Sequence, residues 1–165
     1  MKYPLDKICI KSGAFCPSCQ RKIEANLVAE DDLLVLKALV ALEDKLKFLR
    51  KGEYVKSISL DDEIFVLLKD GFEGEELLTL EREISSAVGK KVKVVEQTND
   101  LKRLVEQIIA PASLLGINKV WLPNGEEVLT VRVSKRDRRY LVKLKEQYES
   151  LIEKISGAKS KITFE

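Results

Sequence analysis

Three cysteines, Cys9, Cys16 and Cys19, in the stretch ICIKSGAFCPSC, are the residues of this 165-residue chain most suited to chemistry. Two thiolates at Cys-x2-Cys spacing can share one metal ion when a tight turn brings them together, and Gly13 and Pro17 are turn residues. Cys9, Cys16 and Cys19 are therefore candidate ligands for a structural zinc ion. Such a site takes four ligands, and the chain has three cysteines and no histidine. The fourth must come from a carboxylate, a water, a dimer mate or a partner protein. A Cys16–Cys19 or Cys9-linked disulfide and plain reduced thiols are the competing uses. Nothing else in the sequence requires a cofactor. Lys7, Lys11, Arg21 and Lys22 flank the cysteines and can either touch RNA or simply keep a small motif soluble.

The second chemically suggestive group is basic. Lys135, Arg136, Arg138, Arg139, Lys143 and Lys145 are candidate nucleic-acid-binding residues, because side-chain charges contact phosphates whatever the base sequence. The plainer use is a solvated helix face with Glu146 and Glu149 as partners one turn away. Tyr140 and Tyr148 can stack on bases, but they fall on an apolar stripe and are assigned to the core. Trp121, between Val120 and Leu122, is assigned to the core or to an interface between modules. Glu73, Glu75, Glu76, Glu81 and Glu83 are read as ordinary partners of a helix start, since nothing in the sequence gathers two of them into a pocket.

The absence of histidine removes the Ser-His-Asp triad, Cys-His nucleophiles and HExxH metal sites together. No GxxxxGK[ST] or GxGxxG stretch occurs. The expectation is a protein that is not an enzyme and has no small-molecule substrate. No apolar run approaches the length of a membrane span, and MKYPLDKICIKSG lacks the apolar core of a secretion signal. These features predict a cytoplasmic protein with no membrane partner. The net charge of +2 is unevenly distributed: +3 over residues 1–52, −5 over 53–97 and +4 over 98–165. The middle third repels phosphate, so a nucleic-acid surface belongs to the last third or the first. Abundant Lys and Glu with little Asn, Gln, Met or His resembles a thermophile's composition.

The elements that must position these groups follow from periodicity. Asp31 to Arg50 has leucines at helical spacing, with Asp31 or Asp32 as cap and Gly52 beyond the end. Val55 to Ser59 and Ile64 to Leu68 read as strands joined at Asp61-Asp62. After Lys69-Asp70-Gly71, Glu75 to Val88 reads as a helix, and Val92 to Val95 as a strand. The order then repeats. Asp100 caps a helix from Leu101 to Ile109, Leu114 to Leu122 and Val128 to Val133 are strands around Pro123-Asn124-Gly125, Arg136 to Ile155 is helical, and Lys161 to Phe164 is the last strand. Helix–strand–strand–helix–strand is written twice, at an offset of about 65 residues. Each half is close to the lower size limit for a stable domain, so the halves are expected to pack on each other.

This pair of modules resembles the archaeal NusA family of transcription factors, which is built from two tandem KH modules. IFVLLKDGFEGEEL (64–77) is similar to the family's strand, turn and helix start, and GKKVKVVE (89–96) to its closing strand. IIAPASLL (108–115) resembles its ALAPAxVL segment, and VRVSKRDRRYLV (131–142) its VRVxxEDRxLAI segment. The likeness covers about Asp31 to Glu165. It implies RNA and the transcription machinery as partners, and a role in elongation or termination.

A KH module grips single-stranded nucleic acid with a GxxG loop between two helices, where glycines let backbone amides approach phosphates. In this family the loop follows the residues that align with Leu77 and Val142. Here those stretches read Leu78-Thr79-Leu80-Glu81 and Lys143-Leu144-Lys145-Glu146, without glycine. Gly71-Phe72-Glu73-Gly74 fits the pattern but lies seven residues upstream, and is read as a turn. Good helix formers fill both expected loops, so each helix pair is expected to fuse into one continuous helix. The predicted fold is α+β: a Cys-containing knuckle over 1–28, a first KH-like module with its leading helix over 29–97, and a second over 98–165. RNA contact is expected to be weak and to rest on the second module. A protein adaptor that has lost nucleic-acid binding is the alternative.

Overall fold

The computed structural model describes residues 1–69 and 71–165; the Lys69-Asp70-Gly71 turn assignment falls in part outside them, at Asp70. The fold is mixed α+β with two three-stranded sheets, in two units, Met1–Gln97 and Thr98–Glu165.

In the first unit, α1 (Lys7–Ser12), α2 (Pro17–Glu24) and α3 (Glu30–Glu43) precede a 3-10 turn at Lys47–Lys51. Then follow β1 (Glu53–Leu60), β2 (Glu63–Lys69), α4 (Gly74–Val88) and β3 (Lys91–Glu96). β2 is the central strand, antiparallel to β1 and parallel to β3. Ile64, Phe65, Val66, Leu67 and Leu68 are all buried, as befits a strand covered on both faces. Val35, Leu36, Ala38, Leu39 and Val40 of α3 are buried too, more than one apolar stripe requires. The reason is that α3 packs against α1 as well as against α4 and β1. A buried polar network ties α3 to β1: Asp32 accepts hydrogen bonds from the Tyr54 hydroxyl and from the Ser57 N–H at 2.7 Å.

Two details of α3 differ from the sequence reading. The cap position is Ala29, whose N–H donates to the Asp32 carboxylate at 2.9 Å. The helix also ends at Glu43 rather than Arg50, because Leu46 leaves helical backbone (φ −109°, ψ 89°) and the 3-10 turn carries Leu49 into the core.

The second unit repeats the strand plan. α5 (Leu101–Ile109) is capped by the Asp100 side chain and leads into β4 (Leu114–Trp121) and β5 (Glu127–Val133), with β6 (Lys159–Phe164) last. β4 and β5 are antiparallel, and β5 and β6 parallel. Between β5 and β6 the continuous helix expected from Arg136 to Ile155 is not formed. A 3-10 turn at Lys135–Asp137 leads to α6 (Arg138–Leu141), a second 3-10 turn at Val142–Leu144, and α7 (Lys145–Ser156).

The cause of this break is length. The crossover must return to the start of β5, because Val128 pairs with Lys159. The seven-residue strand spans about 23 Å, whereas a straight helix over 136–155 would span about 30 Å. In the first unit the 15-residue α4, about 22 Å long, matches β2, and the helix runs unbroken as expected. Good helix formers do not prevent the break, since register with the sheet outweighs local propensity.

Trp121 does not lie in the core of its unit: it is 67% exposed, and β4 from Asn118 onward is exposed along its length. Tyr140 also lies outside the core, while Tyr148 lies inside it. No helix among the described residues is long and apolar enough to cross a membrane.

Candidate metal centre and basic surface

α1 and α2 are short, and their starts are built alike. Asp6 is the cap residue of α1 and Cys9 lies in its first turn; Cys16 is the cap residue of α2, Pro17 opens that helix, and Cys19 lies in its first turn. A cap residue and the residue three positions later face each other, so each helix start presents a pair of ligand atoms. Gly13, at φ 74°, ends α1 in left-handed backbone and turns the chain towards α2.

The Asp6 carboxylate and the sulfurs of Cys9, Cys16 and Cys19 lie within 4.8 Å of one another. Reciprocal backbone bonds join the two helix starts: the Asp6 N–H donates to Cys19 Sγ and the Cys16 N–H to Cys9 Sγ, both at 3.4 Å. The Cys16 thiol lies 3.5 Å from Asp6 Oδ2. All three cysteines are free, Cys9 and Cys19 buried and Cys16 partly so. Hydrogen bonds from the Cys19 amide and thiol draw the Cys16 thiol below its ordinary range. The Asp6 amide favours the Cys19 thiolate, but burial and hydrogen bonding towards Cys16 and Cys9 outweigh it and push Cys19 up to about 11. This donor set is compatible with a metal ion. Asp6 was not singled out by the sequence reading, although Asp6-x2-Cys9 has the same spacing as Cys16-x2-Cys19.

The centre is held to the body of the first unit. Leu5, Cys9, Ile10 and Cys19 join the core formed by Val35, Leu36 and Leu39. Lys22 Nζ donates to the Pro4 carbonyl at 2.7 Å, and Lys7 pairs with Glu43 at 2.9 Å, so two of the flanking basic residues are engaged structurally.

In the second unit Lys135, Arg136, Arg138, Arg139 and Lys143 are exposed and Lys145 is partly buried. They spread over the 3-10 turns and both helices rather than one straight face. The Arg138 guanidinium lies 5.8 Å from the Phe164 ring centre, and Arg139 lies 4.9 Å from that of Tyr140. Glu149 does not pair with these lysines; its carboxylate accepts the Ile162 N–H at 3.2 Å. Lys143 and Lys145 flank Leu144 (φ −118°, ψ 24°), which precedes α7 and offers its helix no side-chain cap. Val142, Lys143, Leu144, Lys145, Glu146 and Gln147 line a shallow depression of about 320 Å³.

The acidic residues of α4 disperse. Glu76 accepts the Glu73 N–H and pairs with Lys51, whose ammonium holds its carboxyl below the ordinary range; Glu83 pairs with Lys45. The Glu81 carboxylate accepts the Val94 N–H at 3.0 Å, and burial raises its pKa. In Gly71-Phe72-Glu73-Gly74, Phe72 is buried and Glu73 caps α4.

No protein-family model matches this chain, and no curated protein matches it. Among solved structures it is similar to one described as "Crystal structure of APE1850", with a TM-score of 0.55 and 19% identity, over 79% of this chain and 96% of that one. At that identity the likeness concerns the fold alone.

Proposed function

We propose that this chain is a non-enzymatic, RNA-associated protein resembling the archaeal NusA family, with two KH-like modules of which only the second retains an interrupted helix pair. One observation carries the reading: the break at Val142–Leu144 lies between two helices on the β5–β6 crossover, with Lys143 inside it and Lys145 opening the helix that follows. A KH module meets phosphates at such a position. Without glycine the backbone approaches less closely, so lysine side chains make the contact and binding is weak and salt-sensitive. We further read the cysteine cluster as a structural zinc site, because thiolate-rich donor sets are those of structural zinc and the three sulfurs lie within 4.8 Å of one another.

The test is single-stranded RNA affinity by filter binding across a salt series. Lys143→Glu with Lys145→Glu is expected to weaken binding at every salt concentration and flatten the dependence on salt by about two phosphate contacts. An absence of binding by the unaltered chain at low salt would overturn the reading. Protein adaptation is the second reading, and it is favoured by the exposure of Val120, Trp121 and Leu122 together on β4 and its turn.

A further inference from the structure

We propose that the Asp6 carboxylate is the fourth ligand of a closed, tetrahedral zinc centre completed by Cys9, Cys16 and Cys19. The proposal rests on reading the cysteines as a zinc site and deepens it by naming the ligand that they lack.

The first argument is the conduct of Asp6. An aspartate at a helix cap ordinarily accepts an N–H of its own helix. Asp6 occupies the cap of α1, yet its carboxylate accepts no such bond among the described residues. It faces Cys16 instead, with Oδ2 3.5 Å from Sγ. In a zinc tetrahedron with Zn–S near 2.3 Å and Zn–O near 2.1 Å, the oxygen–sulfur edge is about 3.6 Å and the sulfur–sulfur edge about 3.8 Å. The contact therefore has the length of a ligand–ligand edge, and the mutual spread of 4.8 Å or less for all four atoms leaves only a small contraction on metal entry.

The second argument is the outer layer. Metal sites hold their ligands through hydrogen bonds from beyond the first layer. The Asp6 N–H on Cys19 and the Cys16 N–H on Cys9 supply such bonds crosswise, each helix start stabilising the sulfur borne by the other. Asp6 thus serves the centre twice, through its amide and through its carboxylate.

The third argument is need. α1 has six residues and α2 eight, and helices of that length are marginal in water. Their buried residues are Cys9 and Ile10 in one and Cys19 in the other. A cross-link from residue 6 to residue 19 fastens both helix starts at once.

The chemistry balances simply. Three Zn–S bonds and one Zn–O bond replace the bonds between the ion and its waters of hydration, which leave to solvent; each ligating thiol gives its proton to solvent, and no electron is transferred. Two positive charges on the ion and four negative ligands leave the centre at −2. Lys7, Lys11, Arg21 and Lys22 lie on the same two helices.

The experiment uses the full chain reconstituted with Zn2+ and Co2+. Metal per chain is measured by elemental analysis, affinity by chelator competition, and ligand type by the Co2+ spectrum. The unaltered chain is expected to hold one zinc ion, and Co2+ to give the intense ligand-field bands of a tetrahedral site. Asp6→Asn, which keeps the cap position, should weaken zinc binding by at least roughly 100-fold, more than loss of an outer-layer partner costs. Asp6→Cys should restore tight binding and strengthen the sulfur-to-cobalt charge-transfer band. Unchanged affinity in Asp6→Asn, or an unchanged charge-transfer band in a metal-loaded Asp6→Cys, would overturn the role of Asp6 while leaving the three-cysteine reading intact. Failure of the unaltered, reduced chain to bind zinc or cobalt stoichiometrically would overturn that reading and the proposal together. Circular dichroism of each variant separates ligand loss from misfolding.

Discussion

Glu43 Oε2 lies 2.9 Å from Lys7 Nζ, so the last residue of α3 holds the first residue of the helix that carries Cys9. The same carboxylate accepts the Tyr3 hydroxyl at 3.1 Å and the Met1 amino group at 2.9 Å, and its residue is 7% exposed. Burial alone would raise its pKa, but the bonds from Lys7, Met1 and Tyr3 prevail and bring it from 4.5 down to about 2.

The sign of the resulting pH dependence follows. Because the folded pKa is depressed, Glu43 stabilises fully above its ordinary pKa, and that contribution is lost as pH falls from 4.5 towards 2. Glu43→Gln should lower unfolding free energy at pH 7 by roughly 1–3 kcal/mol and reduce the loss of stability between pH 5 and 2. Urea unfolding at several pH values measures both. A variant with the parent's acid profile would show that the contacts contribute nothing.

Gly52 is fixed by a neighbour rather than by its own backbone angles, which are ordinary extended values. A β-carbon there would clash with Phe72 Cζ, and that ring is buried and packed edge-on against Phe48 at 6.3 Å between centres. Gly52→Ala should cost roughly 1–3 kcal/mol through displacement of the ring. Paired with Phe72→Leu, the substitution should cost less than the sum of the two single changes, since the clash disappears. Thermal melts of the four proteins close the cycle, and strict additivity would refute the contact.

The two crossovers should differ in local opening. Amides of residues 143–146 adjoin or lie within a 3-10 turn and a new helix start, where few have helical partners; those of residues 79–82 lie inside α4. Native-state hydrogen exchange should therefore be at least about tenfold faster at 143–146 than at 79–82. Equal protection would mean that the second helix closes in solution.

Much of this was readable in the sequence, for identifiable reasons. The strands announced themselves through runs such as IFVLL and turns such as Asp61-Asp62 and Pro123-Asn124-Gly125, which are local signals. α4 was legible because its length suits the strand that it covers. The break after Leu141 was not, because no residue there disfavours helix and the constraint is the span of β5, a property of the sheet. Cys9, Cys16 and Cys19 stood out by residue type. Asp6 did not, since a lone aspartate before a short helix is indistinguishable from an ordinary cap until its carboxylate is seen turned to Cys16. Tyr140 and Trp121 lie outside the core although aromatic character argued for burial, because residue type alone does not say which side of an element is covered.

The exposure of Trp121 has a practical corollary. It is the chain's sole indole, and it sits on a strand of the second unit, wetted before any denaturant is added. Its emission should already be red-shifted in the native protein and change little when the structure is lost. An optical melt followed at that wavelength would be nearly silent, so the molecule must be watched by probes of the peptide bond or of heat.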